Sequence, residues 1–439
     1  MFQTIKNAWK VTELRKKMIF TLIIIVLYRL GTSIPVPYVS ADIYSSMNTF
    51  AAGSIFDFMN ILSGGAFSQA TLFALSVSPY ITASIVIQLL TVAIPALERM
   101  AKEEDGKKKI TVYTRIVTVV LALVTAYGYA MMLSSQNMLT FTSTDSGKWF
   151  KFAVMIACFC AGAAIIMWLA EKINEFGIGN GISIILFANI LASLPSMIGQ
   201  LINLVVANGV FKWTGLVTVI VIAVAAFAIV VLVVWFTNSE RRIPIQYAKR
   251  VVGRKMYGGQ SSNLPLKLNM TGVMPIIFAN SIVAIPATIA AFVPNWKPLQ
   301  FVNEYFNYYT WPYLVVFLAL VIAFAYFYTV ISFNPVEVAN NIRDNGGAVP
   351  GIRPGRPTAQ YIQKILNRIT LIGAVFLCVV AGFPMLVTII DYAIHDGTIT
   401  FNALAFGGSS LLIVVGVALE TVHELEAQLT MRNYKGFLD

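Results

Sequence analysis

Charge is scarce in this chain. Of 439 residues only 12% are Asp, Glu, Lys or Arg, about half the share of a soluble domain. Acids are the scarcer sign, 20 against 31 Lys and Arg, for a formal net charge of +11. Three cysteines and two histidines are present. Cys158 and Cys160 stand two apart, so on a helix they face different ways, and Cys378 is far from both; this argues against a disulfide or a metal site. Neither His395 nor His423 has metal-ligand spacing to another His or Cys. There is no G-x-x-x-x-G-K-[ST] run to cradle the phosphates of ATP. No G-x-S-x-G elbow occurs, and no acid sits mid-way in an apolar run to activate water. These absences speak against an enzyme, and no cofactor is expected.

What is present is apolar side chain, 58% of the total. A bilayer core of about 30 Å needs roughly 20 apolar residues per helix. Ten such runs are predicted, at 18–34, 71–94, 113–133, 152–170, 181–204, 214–236, 271–293, 311–333, 369–390 and 407–426. The first follows a basic segment, as a signal peptide would, but it is too long and lacks a convincing cleavage site, so it is read as retained. The glycines of G-I-G-N-G (177–181) follow no strand and are read as a tight helix entry.

The basic residues predict sidedness. With the N-terminus in the cytoplasm and the spans alternating, 26 of the 31 Lys and Arg fall on the cytoplasmic side and 5 outside. That is a strong positive-inside split, and it puts both termini in the cytoplasm. The densest cluster is the arm from Asn238 to Asn269, with Arg241, Arg242, Lys249, Arg250, Arg254, Lys255 and Lys267 against one acid, Glu240. A second inner loop, 334–368, is rich in Gly and Pro from Gly346 to Pro357, and Arg353 and Arg356 are spaced along it. Each cation is either a topology determinant alone or part of a docking surface for something acidic.

Residues 1–17 resemble a short amphipathic interfacial helix, with Phe2, Ile5 and Trp9 on one face and five cations; a solvated tail is the alternative. Arg29 lies near the outer end of span one, where it can snorkel. The outer stretch from Gly31 opens with T-S-I-P-V-P-Y and continues through G-S-I-F-D-F-M-N-I-L-S-G-G. Residues 54–62 can make two to three helical turns, ended by Gly64 and Gly65. Such a piece is re-entrant, sheltered by protein or water at membrane depth, or an ordinary outer loop.

The two halves carry a repeat. Val77 to Val86 (V-S-P-Y-I-T-A-S-I-V) aligns with Val273 to Val283 (V-M-P-I-I-F-A-N-S-I-V), allowing one inserted residue. These are the second spans of a five-plus-five division. An odd number of spans per half gives inverted topology, with function at the interface of the halves; chance similarity between apolar segments is the competing explanation. A secondary transporter also suits inverted repeats, but coupled transport usually places ionisable groups inside the membrane. A hydrophobic constriction needs none.

At this point several motifs, in order, carry a resemblance. They are Y-R-L-G-T-S-I-P-V-P (28–37), S-P-Y-I-T-A-S-I-V-I-Q-L-L (78–90), G-I-G-N-G-I-S-I (177–184), R-R-I-P-I-Q-Y-A-K-R (241–250), P-L-K-L-N-M-T-G-V-M-P-I-I-F-A (265–279), G-I-R-P-G-R-P-T (351–358) and S-S-L-L-I-V-V (409–415). Along essentially its whole length the chain resembles the SecY family, channel subunits of the bacterial protein translocase. Tyr38 stands where that family usually has Gly, and Leu186 where it often has Ile.

The resemblance implies an all-α integral membrane protein of ten transmembrane helices in two pseudo-symmetric inverted halves. The expected parts are an N-terminal segment (1–17), halves at 18–204 and 205–426, and a tail (427–439). It implies an hourglass pore closed by an aliphatic ring: Val77, Ile81 and Ile85 from span two, Ile182 and Leu186 from span five, Val273 and Ile277 from span seven, and Ile413 from span ten. Val77, Ile81 and Ile85 also recur every four residues, on one helix face. The segment near 54–67, with Ile55, Phe56, Phe58, Met59, Ile61, Leu62, Gly64 and Gly65, corresponds to the family's plug. Spans two and seven correspond to its lateral gate, with Gln88 and Ser281 as candidate polar gate residues. The two basic loops correspond to docking sites for the ribosome, including its RNA, and for the motor ATPase SecA. Implied small partners are SecE and SecG; secretory chains, signal sequences and lipid are the remaining ones.

Overall fold

A computed structural model gives the architecture. It describes residues 2–40, 43, 55–136, 138–141, 147–207, 210–211, 213–247, 250–252, 255–257, 261–292, 310–395 and 402–435. The helices are α1 (Phe2–Lys10), α2 (Thr12–Gly31), α3 (Ile55–Leu62), α4 (Ser78–Ala93), α5 (Pro95–Lys102), α6 (Glu104–Ser135), α7 (Lys148–Phe176), α8 (Gly181–Val205), α9 (Trp213–Thr237), α10 (Met274–Phe292), α11 (Trp311–Ser332), α12 (Pro335–Asp344), α13 (Arg356–His395) and α14 (Asn402–Lys435). Each of the ten apolar runs is overlaid by one of them. Among the described residues, and by length and composition alone, five helices can cross a membrane, or six if α4 and α5 count as one bent span. Two more, Gly181–Ser196 and Met274–Pro286, are shorter apolar helices. α2 falls short because Arg15, Lys16 and Lys17 lie within its own length. α9 leaves Val217, Val221, Val224 and Phe227 more than half exposed, an apolar face that only lipid or another membrane chain can cover.

The second run differs from its expected span at both ends. The second run does not become helical until Ser78; residues 71–77 form turns, with Pro79 in the helix's first turn, where its missing N–H is harmless. Its other end is broken: α5 turns away from α4 by 108°. Ile94 is extended at the break, because the ring of Pro95 bars the helical conformation from the residue before it.

The repeat is matched by local structure. Val77 and Val273 each stand immediately before a helix, and Pro79 and Pro275 are each the second helical residue. The amide of Ile81 donates to the carbonyl of Val77, and that of Ile277 to the carbonyl of Val273. α4 and α10 pack against one another, α10 also touches α6, and α8 lies against α3, α9 and α14.

The G-I-G-N-G turn is the tight entry expected. Asn180 caps α8, its side-chain oxygen accepting from the amides of Ile182 and Ser183. A Cβ on Gly181 would come within 2.0 Å of the Ala170 carbonyl, so α7 and α8 meet backbone to backbone there. Near the first turn of the chain, α1 packs on α14: Ala8, Leu14, Ile178 and Leu425 form a small core, while Ile5 and Trp9 are exposed.

Two short strands, β1 (Val206–Ala207) and β2 (Val210–Phe211), pair ahead of α9, and the described residues of the basic arm are extended. β3 (Glu240–Tyr247) and β6 (Ser261–Lys267) form an antiparallel ribbon in which Ile243 faces Leu264 and Ile245 faces Ser262. A short strand β7 (Gly347–Ala348), from the second basic loop, adds to β3 at Gln246 and Tyr247. The period-two alternation of β3 puts Ile243 and Ile245 inside and Arg242, Pro244 and Gln246 outside. The inner face shares a core with Leu266, Ile342, Val349, Ile362 and Ile369. Strands β4 (Arg250–Val252) and β5 (Lys255–Tyr257) pair at the far end of the arm.

Candidate functional site

The aliphatic residues expected to form a ring lie in one core cluster. Val77, Ile81, Ile85, Leu186, Val273, Ile277 and Ile413 are all 5% exposed or less, and Ile182 is partly buried against them. Ile81, Leu186, Ile277 and Ile413, from four helices distant in sequence, line a single cavity of about 40 Å³. Val273 sits over Gly416, one turn past Ile413, where a Cβ would meet its Cγ1 at 2.5 Å. Ile85 and Ile182 do not line the cavity. The branched aliphatics on its wall offer water and ions no hydrogen-bond partner, while Ser76, Ser78, Asn280 and Ser281 line the rest of it.

One wall of the same cavity is Met59 and Leu62, from the last turns of α3. The helix carries Ile55, Phe56, Phe58 and Ile61 as well. It ends as the sequence predicts: Gly64 and Gly65 have φ of 65° and 89°, a left-handed conformation glycine adopts without strain. The amide of Gly65 returns to the carbonyl of Asn60 at 2.9 Å. Asn60 Oδ1 accepts from the amide of Ser68, and the Tyr129 hydroxyl donates to the carbonyl of Phe67. Arg29 reaches this segment as well: its Nη1 donates to the carbonyl of Gly64 at 3.3 Å.

Gln88 and Ser281 each stay within their own helix. Gln88 Nε2 reaches Ser84 Oγ at 3.5 Å, and Ser281 Oγ donates to the carbonyl of Ile277 at 2.9 Å. Ser281 lines the cavity and Gln88 does not. The polar residues that sequence reasoning missed are Ser76, Ser78 and Asn280, all on the cavity wall, and Asn189, wholly buried in α8. The signal available for them was a polar side chain inside an apolar run, where it is costly and seldom idle.

In the basic arm Arg241 and Arg242 are exposed, and Arg242 pairs with Glu240 at 2.6 Å. Arg250 and Lys255 lie in β4 and β5, while Lys249 and Arg254 are outside the described residues. Arg353 and Arg356 are exposed beside the left-handed Gly351 and Gly355, and Thr358 Oγ1 donates to the carbonyl of Arg353 at 2.8 Å. The two basic loops, distant in sequence, are therefore one body with a shared core. Only six residues separate the end of β6 from the start of α10, and Val273 is the last of them. Tyr38, with φ of 68°, holds a backbone conformation natural to the glycine usual in its place. Its ring meets Phe141 edge-on under the ammonium of Lys151.

Apolar helices from both halves of the chain bring buried aliphatic side chains together around one small cavity, with a short helix against it. Among solved structures the fold matches "The structure of a protein conducting channel" with a TM-score of 0.64 at 16% identity, covering 94% of this chain and 92% of that one. It matches "The plug domain of the SecY protein stablizes the closed state of the translocation channel and maintains a membrane seal" with a TM-score of 0.60 at 18% identity over the same shares. "Sec61 in the Canine ribosome-channel complex from the endoplasmic reticulum" gives 0.60 at 15% identity, again over the same shares. The molecule is a multi-pass membrane protein of the protein-conducting channel class.

The chain belongs to the SecY family. The family model matches residues 71–422. The "Protein translocase subunit SecY" of Streptomyces galbus is 43% identical over 450 residues, covering all of both chains. That of Corynebacterium glutamicum is 40% identical over 448 residues, covering 98% of this chain and 99% of its own.

Proposed function

We propose that this channel carries unfolded secretory polypeptides across the bacterial cytoplasmic membrane and releases apolar segments sideways into lipid between α4 and α10. The observation that carries the reading is the convergence of Ile81, Leu186, Ile277 and Ile413 with Met59 and Leu62 on one cavity. The aliphatic ring, completed by Val77, Ile85, Ile182 and Val273, is the gasket. α3 is the plug that backs it, and a passing chain displaces the plug and fits within the ring. Side chains of that kind adapt to any polypeptide, because dispersion contact is non-directional.

The chain performs no chemistry of its own in this reading, so the energy arrives from a bound partner. The body made by β3, β6, β7 and α12 is the docking surface, for SecA or for a ribosome whose RNA attracts cations. Arg241, Arg242, Arg353 and Arg356 supply its exposed charge, and Lys249, Arg250, Arg254 and Lys255 are further cations of the arm by sequence. The 26-to-5 division of cations supports a cytoplasmic position for the arm and both termini. SecE and SecG are the small subunits the reading requires, and the inverted halves are 18–204 and 205–426.

The test is to place a photo-crosslinking residue at position 81 and arrest a secretory chain in transit. Crosslinking at 81, absent without the arrested chain, is expected. An arrested chain that reacts only with lipid-facing α9 positions such as 224 would refute the pore assignment.

A further inference from the structure

The described residues hold one cluster of buried polar groups that an aliphatic gasket does not need. Asn189, 0% exposed, donates from Nδ2 to the carbonyl of Leu62 at 2.7 Å and to the Tyr28 hydroxyl at 2.8 Å. Ser76 Oγ, 3.5 Å from the same amide, donates to that Leu62 carbonyl at 3.1 Å. Two residues further along the plug segment Arg29 holds the carbonyl of Gly64. Leu62 is the final residue of α3. The last carbonyls of a helix lack intrahelical partners and carry the negative end of its dipole. Donors from α2, from the turn before α4 and from α8 thus converge on the one part of the plug that needs them.

These donors are tied to the gasket through the backbone. Leu186 precedes Asn189 by three residues on α8, so the two share a face. Ser76 is followed directly by Val77. A chain that pushes the ring outward moves the groups that hold the plug. The fit is close, because a Cβ on Gly64 would come within 2.6 Å of Arg29 Nη1 and 3.1 Å of Asn189 Oδ1.

We infer that Asn189 is a positioning residue that latches the plug, so that widening of the ring and release of the plug are one event. The inference rests on the channel reading above. The test uses the complete translocase in liposomes, with ion conductance at rest and transport of a secretory chain both measured. Asn189→Leu keeps the branched shape of the side chain and removes both donated bonds. Resting conductance is expected to rise about tenfold, the equivalent of roughly one lost buried hydrogen bond. Ser76→Ala is expected to raise it less, and serves if Asn189→Leu fails to assemble. In a channel lacking residues 55–65, Asn189→Leu is expected to add nothing, whereas a general packing defect would add leak in both backgrounds. Unchanged conductance in both variants, or an equal rise with and without the plug, overturns the latch. Failure of the parent channel to transport the chain would instead count against the channel reading.

Discussion

At the waist, Ile81, Leu186, Ile277 and Ile413 are between 1% and 5% exposed; in the basic arm, Arg241, Arg242, Arg353 and Arg356 stand in solvent. Both regions are assembled from chain segments far apart in sequence, but the forces differ. The waist gains by excluding water from aliphatic surface and makes its few polar contacts in a low-dielectric interior, where each is worth more. The arm is organised by a small apolar core, Ile243 and Ile245 against Ile342 and Ile362, and spends its outer face on charge that salt screens. A change at the waist should therefore act on the closed state, and a change on the arm's face should act on partners and leave the seal alone.

The largest effect that would break this contrast is expected at Ile413. Ile413→Asn places an amide among the buried aliphatics of the waist, at a cost of about 1–3 kcal/mol to the packed arrangement. Resting ion conductance in liposomes should rise by about ten- to a hundredfold. A channel as tight as the parent would mean that Ile413 packs without sealing.

A middle effect is expected from Arg353→Glu. Reversing one cation opposite an acidic partner costs several kcal/mol of association, so partner-driven transport in vitro should fall by at least about tenfold while resting conductance stays at the parental value. A rise in leak would show that arm and waist are not separable.

The smallest effect belongs to Glu240→Gln. The Glu240–Arg242 pair is short, but its side chains are 31% and 68% exposed, so it should contribute less than about 1 kcal/mol. Protease cleavage of the arm is expected to proceed at nearly the parental rate. Markedly faster cleavage would mean that the ribbon depends on surface charge more than on its isoleucines.

Much of this was legible beforehand, and the reasons are local. A run of apolar residues long enough to span a bilayer reads as a helix without knowledge of its neighbours, and each of the ten runs is overlaid by one. Gly64 and Gly65 announced the end of α3, and the four-residue spacing of Val77, Ile81 and Ile85 announced a shared face. The break at Ile94 was available from Pro95 but was absorbed into an apolar run. The alternation of Ile243 and Ile245 with Arg242, Pro244 and Gln246 was a strand signal, masked by the arm's positive charge. The acceptor that Arg29 finds, the carbonyl of Gly64, lies 35 residues away, beyond the reach of any local pattern.

The sequence by itself determined that this is a membrane protein, where its helices run, and which aliphatic residues share a helix face. Each of those follows from composition or from a period shorter than two helical turns. Only the tertiary structure decided which faces meet. It set Ile81 beside Ile277 and Ile413, turned Arg29 toward Gly64, and put the basic arm and the second basic loop on one core. Asn189 lies 127 positions from Leu62 and 161 from Tyr28, and no local pattern links them. Burial forces the connection: an amide withdrawn from water must find partners wherever the fold brings them, and here the fold brings the end of α3.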